Sequence, residues 1–150
     1  MISNHPPHFA IIGAGTAGLA TAILLARQNI QVSILEKASE LEPVGAGLLL
    51  QPSGLAVFEH LGLLDEVLRL GAKVTGLKGQ LPSGNLLVNS HYQQAHPDFY
   101  GVGIHRATLC HVLENKCREY SELITWQMNT DIQTLEETSN QVRVLGTKDG

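Results

Sequence analysis

Phe9-Ala10-Ile11-Ile12-Gly13-Ala14-Gly15-Thr16-Ala17-Gly18 is the stretch that decides the fold. Its first four residues form a continuous apolar run, the pattern of a strand buried on both faces, and parallel sheets are built from such strands. Thr16 to Asn29 follows with mostly Ala, Leu and Ile, which form helices readily. Arg27 and Gln28 fall in its last turn, where a cation meets the negative end of the helix dipole. Gln31-Val32-Ser33-Ile34-Leu35 then alternates polar and apolar up to Glu36, so the chain to this point predicts a βαβ unit with two parallel strands.

Between the first strand and the helix stand the glycines of a G-x-G-x-x-G pattern. Gly13 permits a tight turn, Gly15 lets the main chain approach a pyrophosphate with no Cβ in the way, and Gly18 lets the helix pack close to the strand. The amides of Thr16 and Ala17, at the helix start, then face the diphosphate. A helix dipole contributes about 0.3–1 kcal/mol to such an anion, or roughly 2 in a partly buried setting, so other contacts are required. Glu36 supplies one. It stands after the 17 residues 19 to 35 that separate it from Gly18, at the end of the second strand, where a carboxylate accepts from ribose hydroxyls. Such an acid repels a 2′-phosphate, which points to FAD or NAD and away from NADP. These 36 residues do not separate FAD from NAD.

Further along, Pro43-Val44-Gly45-Ala46-Gly47-Leu48-Leu49-Leu50 has glycines at alternate positions, suited to a backbone passing close to something flat. Two short amphipathic helices are expected next, the first capped by Ser53 and ended by Gly62, the second running from Leu63 to Leu70 and stopped by Gly71. Lys73–Leu81 and Asn85–Asn89 flank Pro82-Ser83-Gly84 and predict a hairpin, and His91 to Tyr100 reads as loop. Gly101-Val102-Gly103-Ile104 leads into a helix over about Arg106–Tyr120, with Leu109, Val112, Leu113 and Cys117 as its buried stripe. Leu123–Trp126 is a third strand candidate, and Asp131–Leu135 with Gln141–Thr147 forms a second hairpin across Thr138-Ser139-Asn140. Asp149-Gly150 is a further hairpin signal with no strand after it.

The whole is one domain's worth of chain, 150 residues with 43% hydrophobic and 16% charged residues, enough to bury roughly 70% of its unfolded surface. A formal net charge of −4 gives no basic excess for nucleic acid or an anionic membrane. The most apolar stretch, Leu19 to Ala26, is far short of the roughly 20 residues a membrane span needs. The start Met1-Ile2-Ser3-Asn4-His5-Pro6-Pro7-His8 lacks a basic residue ahead of an apolar run, against a secretory signal. Cys110 and Cys117 lie seven apart in the later helix and read as reduced thiols of a cytoplasmic protein. The seven histidines show no metal-ligand spacing, and no metal is expected.

In three places the sequence resembles the class A FAD-dependent flavoprotein monooxygenases typified by p-hydroxybenzoate and salicylate hydroxylases. They are the Gly13–Gly18 loop with Glu36, Gly45-Ala46-Gly47-Leu48-Leu49-Leu50-Gln51-Pro52-Ser53-Gly54 running into the next helix, and Gly103-Ile104-His105-Arg106-Ala107-Thr108-Leu109 opening the later one. The resemblance implies a Rossmann-like FAD-binding domain with a parallel sheet plus a partial β-hairpin or meander, with about 73–100 an inserted piece of the substrate-binding region. It implies FAD as cofactor, NADH or NADPH as transient reductant, and hydroxylation of a small, aromatic or otherwise activated substrate with O₂. Gly45 and Gly47 would then lie along the flavin side, Arg106 would reach the extended middle of the cofactor as a fixed cation, and Lys37 stands where the family often has arginine. An arginine in a first helical turn opposes the dipole, which is a reason for an anion to hold it there. No catalytic side chain is assigned, because the cofactor performs the hard step. Family members are more than twice this length, so a truncated piece, inactive alone, is expected, with Phe9–Ile12 and Gln141–Thr147 left as edges. A related FAD-dependent reductase or halogenase, or a non-catalytic dinucleotide-binding fragment, stays open as an alternative.

Overall fold

The computed structural model describes residues 7–41, 45–139 and 141–148. The chain divides into two compact units, one made of Met1–Glu42 with Leu113–Gly150 and the other of Pro43–Val112.

The first unit begins with β1 (His8–Ile12), α1 (Thr16–Ala26) and β2 (Gln31–Leu35), the expected βαβ unit. β1 and β2 pair in parallel from His8 opposite Gln31 to Ile12 opposite Leu35. α1 lies against both strands and buries Leu19, Ala22, Ile23 and Ala26. A full burial of an Ile or Leu side chain stabilises by about 1.5–3 kcal/mol. The helix closes as Ile30 N–H reaches Leu25 O and Asn29 N–H reaches Ala26 O, with Asn29 left-handed at φ 59°. The third strand, β8 (Ile124–Gln127), pairs in parallel on the far side of β2, which makes the order β1-β2-β8. β2 is therefore central, and its Val32 and Ile34 are fully buried.

β1 is less buried than its apolar run predicts, with Phe9 44% and Ile12 52% exposed. Burial of a strand's two faces and both edges needs neighbours on each side, and among the described residues β1 has only β2 beside it. The hairpin of β9 (Thr130–Glu137) and β10 (Val142–Lys148) matches expectation, with a register shift between Leu145 and Gly146. Asn140 of its turn, the Asp149-Gly150 signal and the residues Met1–Pro6 lie outside the described residues.

In the second unit β7 (Gly101–His105) is the middle of a three-stranded antiparallel sheet, between β3 (Gly47–Leu50) and β4 (Ala72–Val74). α2 (Pro52–His60) and α3 (Leu64–Leu70) pack on this sheet and on each other. Their Leu55, Phe58 and Val67 are buried, as are Leu61 and Leu63 between them and Val102 and Ile104 of β7. Gly62, at φ 67°, ends α2 as expected, with Leu63 N–H donating to Phe58 O.

Three readings need correction here. Ser53 is not the cap: α2 starts at Pro52, whose missing N–H removes one of the donors a cap would satisfy, with Gln51 as the flanking residue. Lys73–Leu81 is not one strand but two in different sheets, since the chain leaves β4 at Val74 and re-enters as β5 (Gly76–Gln80), paired with β6 (Leu86–His91). Within the His91–Tyr100 loop, Tyr92–Gln94 forms a 3₁₀ turn. Pro43 and Val44 of the glycine-alternating stretch are outside the described residues, and its Gly47–Leu50 is a strand.

The last helix, α4 (Arg106–Arg118), ends two residues before the expected Tyr120. Cys117 in its last turn is fully buried and donates its thiol to Leu19 O at 3.5 Å. Burial, then the charge of Glu114, pushes that thiol up to about 12, with Arg118 acting the other way.

Candidate functional site

The glycine loop has the geometry its three glycines require. Gly13 sits at φ 96°, a conformation that L side chains rarely adopt, and its N–H donates to Leu35 O at 2.8 Å. At Gly18 an added Cβ would stand closer than 3.0 Å to the carbonyl oxygen of Gly13, so only a glycine lets α1 approach the end of β1 this closely. At Gly15, the residue flanking α1, an added Cβ would meet nothing within 4 Å. Among the described residues no side chain caps α1, and its first turn holds no acid. The first intrahelical bond is Leu19 N–H to Gly15 O at 2.9 Å, which leaves the amides of Thr16, Ala17 and Gly18 as the orphan donors of the helix start.

Glu36 follows β2 and lies beside this loop. Its Oε2 accepts from Ala14 N–H at 2.7 Å and its Oε1 from Ala38 N–H at 2.9 Å. The sequence reading leaves this carboxylate free for a sugar, whereas the structure gives each oxygen a main-chain donor first. A carboxylate has about four acceptor positions, so each oxygen keeps one more. Ala14 is only 3% exposed, and its amide would be costly without that acceptor. Lys37, next to the acid, is exposed.

The remaining predicted site residues belong to the second unit. Gly45 has φ 133°, and a Cβ there would stand 3.3 Å from Cδ of Arg106, so the arginine stem runs over the glycine. Gly47 pairs with His105 in the β3–β7 register, which brings Gly45, Gly47 and Arg106 to one end of this sheet. Arg106 is exposed at the start of α4, its N–H directed at Ala46 O at 3.5 Å. Thus Gly13, Gly15, Thr16, Ala17, Gly18, Glu36 and Lys37 form one constellation, and Gly45, Gly47 and Arg106 form another. Sequence reasoning missed Ala14 and Ala38, because they act through main-chain N–H groups that no side chain announces. It missed Asn129 as well, where an asparagine in a short turn was the available signal.

A family model described as the FAD binding domain matches residues 8–149. The chain belongs to the FAD-binding domain family. It is 32% identical over 143 residues to 3-hydroxybenzoate 6-hydroxylase of Klebsiella oxytoca, covering 92% of this chain and 36% of that protein. To the phenazine 1,6-dicarboxylic acid hydroxylase PhzS of Lysobacter antibioticus it is 33% identical, over 89% of this chain and 33% of that one. The solved structure of PqsL from P. aeruginosa in complex with 2-aminobenzoylacetate superposes with a TM-score of 0.80 at 27% identity, covering 94% of this chain and 39% of that one. p-Nitrophenol 4-monooxygenase PnpA from Pseudomonas putida DLL-E4 shares the fold, with a TM-score of 0.85 at 18% identity and coverage of 95% and 36%. The chain spans about a third of the length of the curated relatives it matches. The resemblance to class A flavoprotein monooxygenases and the expectation of FAD are both borne out.

The residues present fit this cofactor. An FAD-binding domain must offer donors to a diphosphate and an acceptor to a ribose, and here an uncapped helix start faces open space at Gly15 while Glu36 retains acceptor positions beside it. No helix among the described residues is long and apolar enough to cross a membrane.

Proposed function

We propose that the chain is the FAD-binding part of a hydroxylase that uses NADH or NADPH and O₂ to oxygenate a small aromatic compound. Bound flavin supplies hydride acceptance and oxygen activation, and the protein supplies position and shielding. The amides of Thr16, Ala17 and Gly18 take the pyrophosphate, with Gly13 and Gly15 shaping the turn that lets it approach. Glu36 accepts from the adenosine ribose, and Lys37 contributes a cation at the adenosine end. Arg106, set over Gly45 beside Gly47, meets the middle of the cofactor on the flavin side. Residues of about 73–100 contribute to the substrate side, and we place the protein in the cytoplasm, where Cys110 and Cys117 stay reduced.

The observation that carries this reading is the pairing of an open, uncapped helix start at Gly15 with an acid hydrogen-bonded to the same loop. Its relatives support the reaction class, since those it matches over most of its length include a hydroxybenzoate hydroxylase and a phenazine dicarboxylate hydroxylase. Purification of the full chain tests it. A flavin absorbance spectrum is the expected result for this chain, and NAD(P)H oxidation with product formation stimulated by a hydroxylated benzoate is expected of the longer hydroxylase of which it is the FAD-binding part. A colourless protein that NAD protects from heat better than FAD does would contradict the cofactor roles. NAD(P)H oxidation that never yields a hydroxylated product would favour a reductase.

A further inference from the structure

Glu36 is held from behind as well as from the glycine loop. Three main-chain hydrogen bonds tie Glu36–Ala38 to the turn that joins β8 to β9. Glu36 N–H donates to Gln127 O at 2.9 Å, Thr130 N–H to Glu36 O at 2.9 Å, and Asn129 N–H to Ala38 O at 3.1 Å. The two residues so gripped are the ones that place the carboxylate, since Ala38 N–H is also the donor to Glu36 Oε1. The turn is braced from within by the Thr130 hydroxyl, which donates to Met128 O at 3.1 Å.

The turn closes because Asn129 stands at φ 54°, in the left-handed region. Asparagine visits that region readily, glycine at no steric cost, and β-branched residues only with strain. Among the described residues the Asn129 carboxamide has no hydrogen-bond partner, so its contribution lies in the backbone conformation it permits. We propose that Asn129 is a positioning residue for the cofactor: its left-handed turn sets the Glu36 carboxylate against the glycine loop and thereby selects a ribose without a 2′-phosphate. This rests on reading Glu36 as the ribose acceptor.

The test uses the full chain, with FAD affinity measured by flavin fluorescence. Competition by adenosine 5′-monophosphate and by adenosine 2′,5′-bisphosphate, which differ only in the 2′-phosphate, reports the selectivity. Asn129→Val is expected to weaken FAD by about 5- to 30-fold, the scale of the left-handed penalty. It should also narrow the preference for the monophosphate, as Glu36→Gln does. Asn129→Gly, which keeps the turn, should stay within about two-fold of the parent. If Asn129→Val does not fold, Asn129→Ala carries the same comparison with a milder penalty. A valine or alanine variant that binds FAD like the parent, or that loses affinity with the monophosphate preference intact, overturns the inference. A Glu36→Gln variant that changes neither readout sinks the ribose reading itself, whatever Asn129 does.

Discussion

Two of the loop glycines are needed for different physical reasons, and one methyl group at each separates packing from ligand approach. In Gly18→Ala the new Cβ would lie closer than 3.0 Å to Gly13 O, 3.2 Å from Ile11 Cγ2 and 3.3 Å from the Gly13 carbonyl carbon. Two of these three atoms are main chain, so relief requires α1 to move off the end of β1. Overpacking of this kind costs about 1–3 kcal/mol and occasionally more, against a helix-propensity gain of at most ~1 kcal/mol for replacing glycine by alanine. With main-chain atoms in the way the cost falls at the upper end of that range, so the net is a loss of about 2 kcal/mol, which for a chain of this size lowers Tm by about 4–8 °C. Gly15→Ala is the opposite case. Its φ is −73° and its Cβ meets nothing within 4 Å. A poorer residue at the helix flank costs roughly 1 kcal/mol, and the stiffer unfolded chain returns about 0.4–1. Its Tm should therefore stay within about 3 °C of the parent. Its FAD affinity should fall at least ten-fold, because the methyl stands in the space a phosphate would take. Thermal melts of the apoprotein and flavin titrations of both variants decide the matter. Equal destabilisation by the two methyls, or undiminished FAD binding by Gly15→Ala, would refute the division of roles.

Three further outcomes are expected. Gly13→Ala places a side chain at φ 96° and should cost about 1–2 kcal/mol in denaturant melts, although a Cβ there meets nothing within 4 Å. Gly45→Val, at φ 133° and against the stem of Arg106, should weaken FAD binding as Arg106→Ala does. The double variant should be little worse than either single, because both act on one contact, and full additivity would show that they act separately. The Cys117 thiol keeps its proton up to about 12 in the folded chain and only to about 9.0 when unfolded, so its contribution is present below pH 9 and is lost as pH rises towards 12. Denaturant melts from pH 8 to 11 should fall less steeply for Cys117→Ala than for the parent.

The β1–α1–β2 unit was legible because three independent signals coincide there: an apolar run, a helix-forming stretch and glycines at fixed offsets. The Glu36 position follows from the same spacing. What sequence could not supply is anything that depends on neighbours distant in the chain. The exposure of Phe9 and Ile12 reflects a neighbour on one side of β1 only among the described residues, not the composition of β1 itself. Gly101–Ile104 reads as a lead-in to a helix because two glycines dilute its pattern, yet partners on both sides of β7 make it part of the central strand of its sheet. The break between β4 and β5 escapes notice for the same reason, since each strand is defined by a different partner. In the candidate site the glycines and the acid were visible as side chains or their lack. Ala14, Ala38 and the Gln127–Thr130 turn act through main-chain groups, which every residue carries and no pattern marks.

The double service of Glu36 makes a last consequence unavoidable. Its Oε2 satisfies the N–H of Ala14, a residue 3% exposed, so part of its contribution exists before any cofactor binds. Leaving a buried amide unsatisfied costs about 1–3 kcal/mol. Glu36→Ala should therefore destabilise the apoprotein by that order as well as weaken FAD. Glu36→Gln keeps one acceptor oxygen, which can turn to Ala14, and sets its amide donor against the N–H of Ala38. It should lose less stability than the alanine variant while losing the negative charge that excludes a 2′-phosphate. Comparing apoprotein melts with nucleotide competition for the pair separates the acid's service to the loop from its service to the ligand. An alanine variant as stable as the parent would mean that water replaces the carboxylate at Ala14 without cost, and that the hydrogen bond to the loop holds nothing in place.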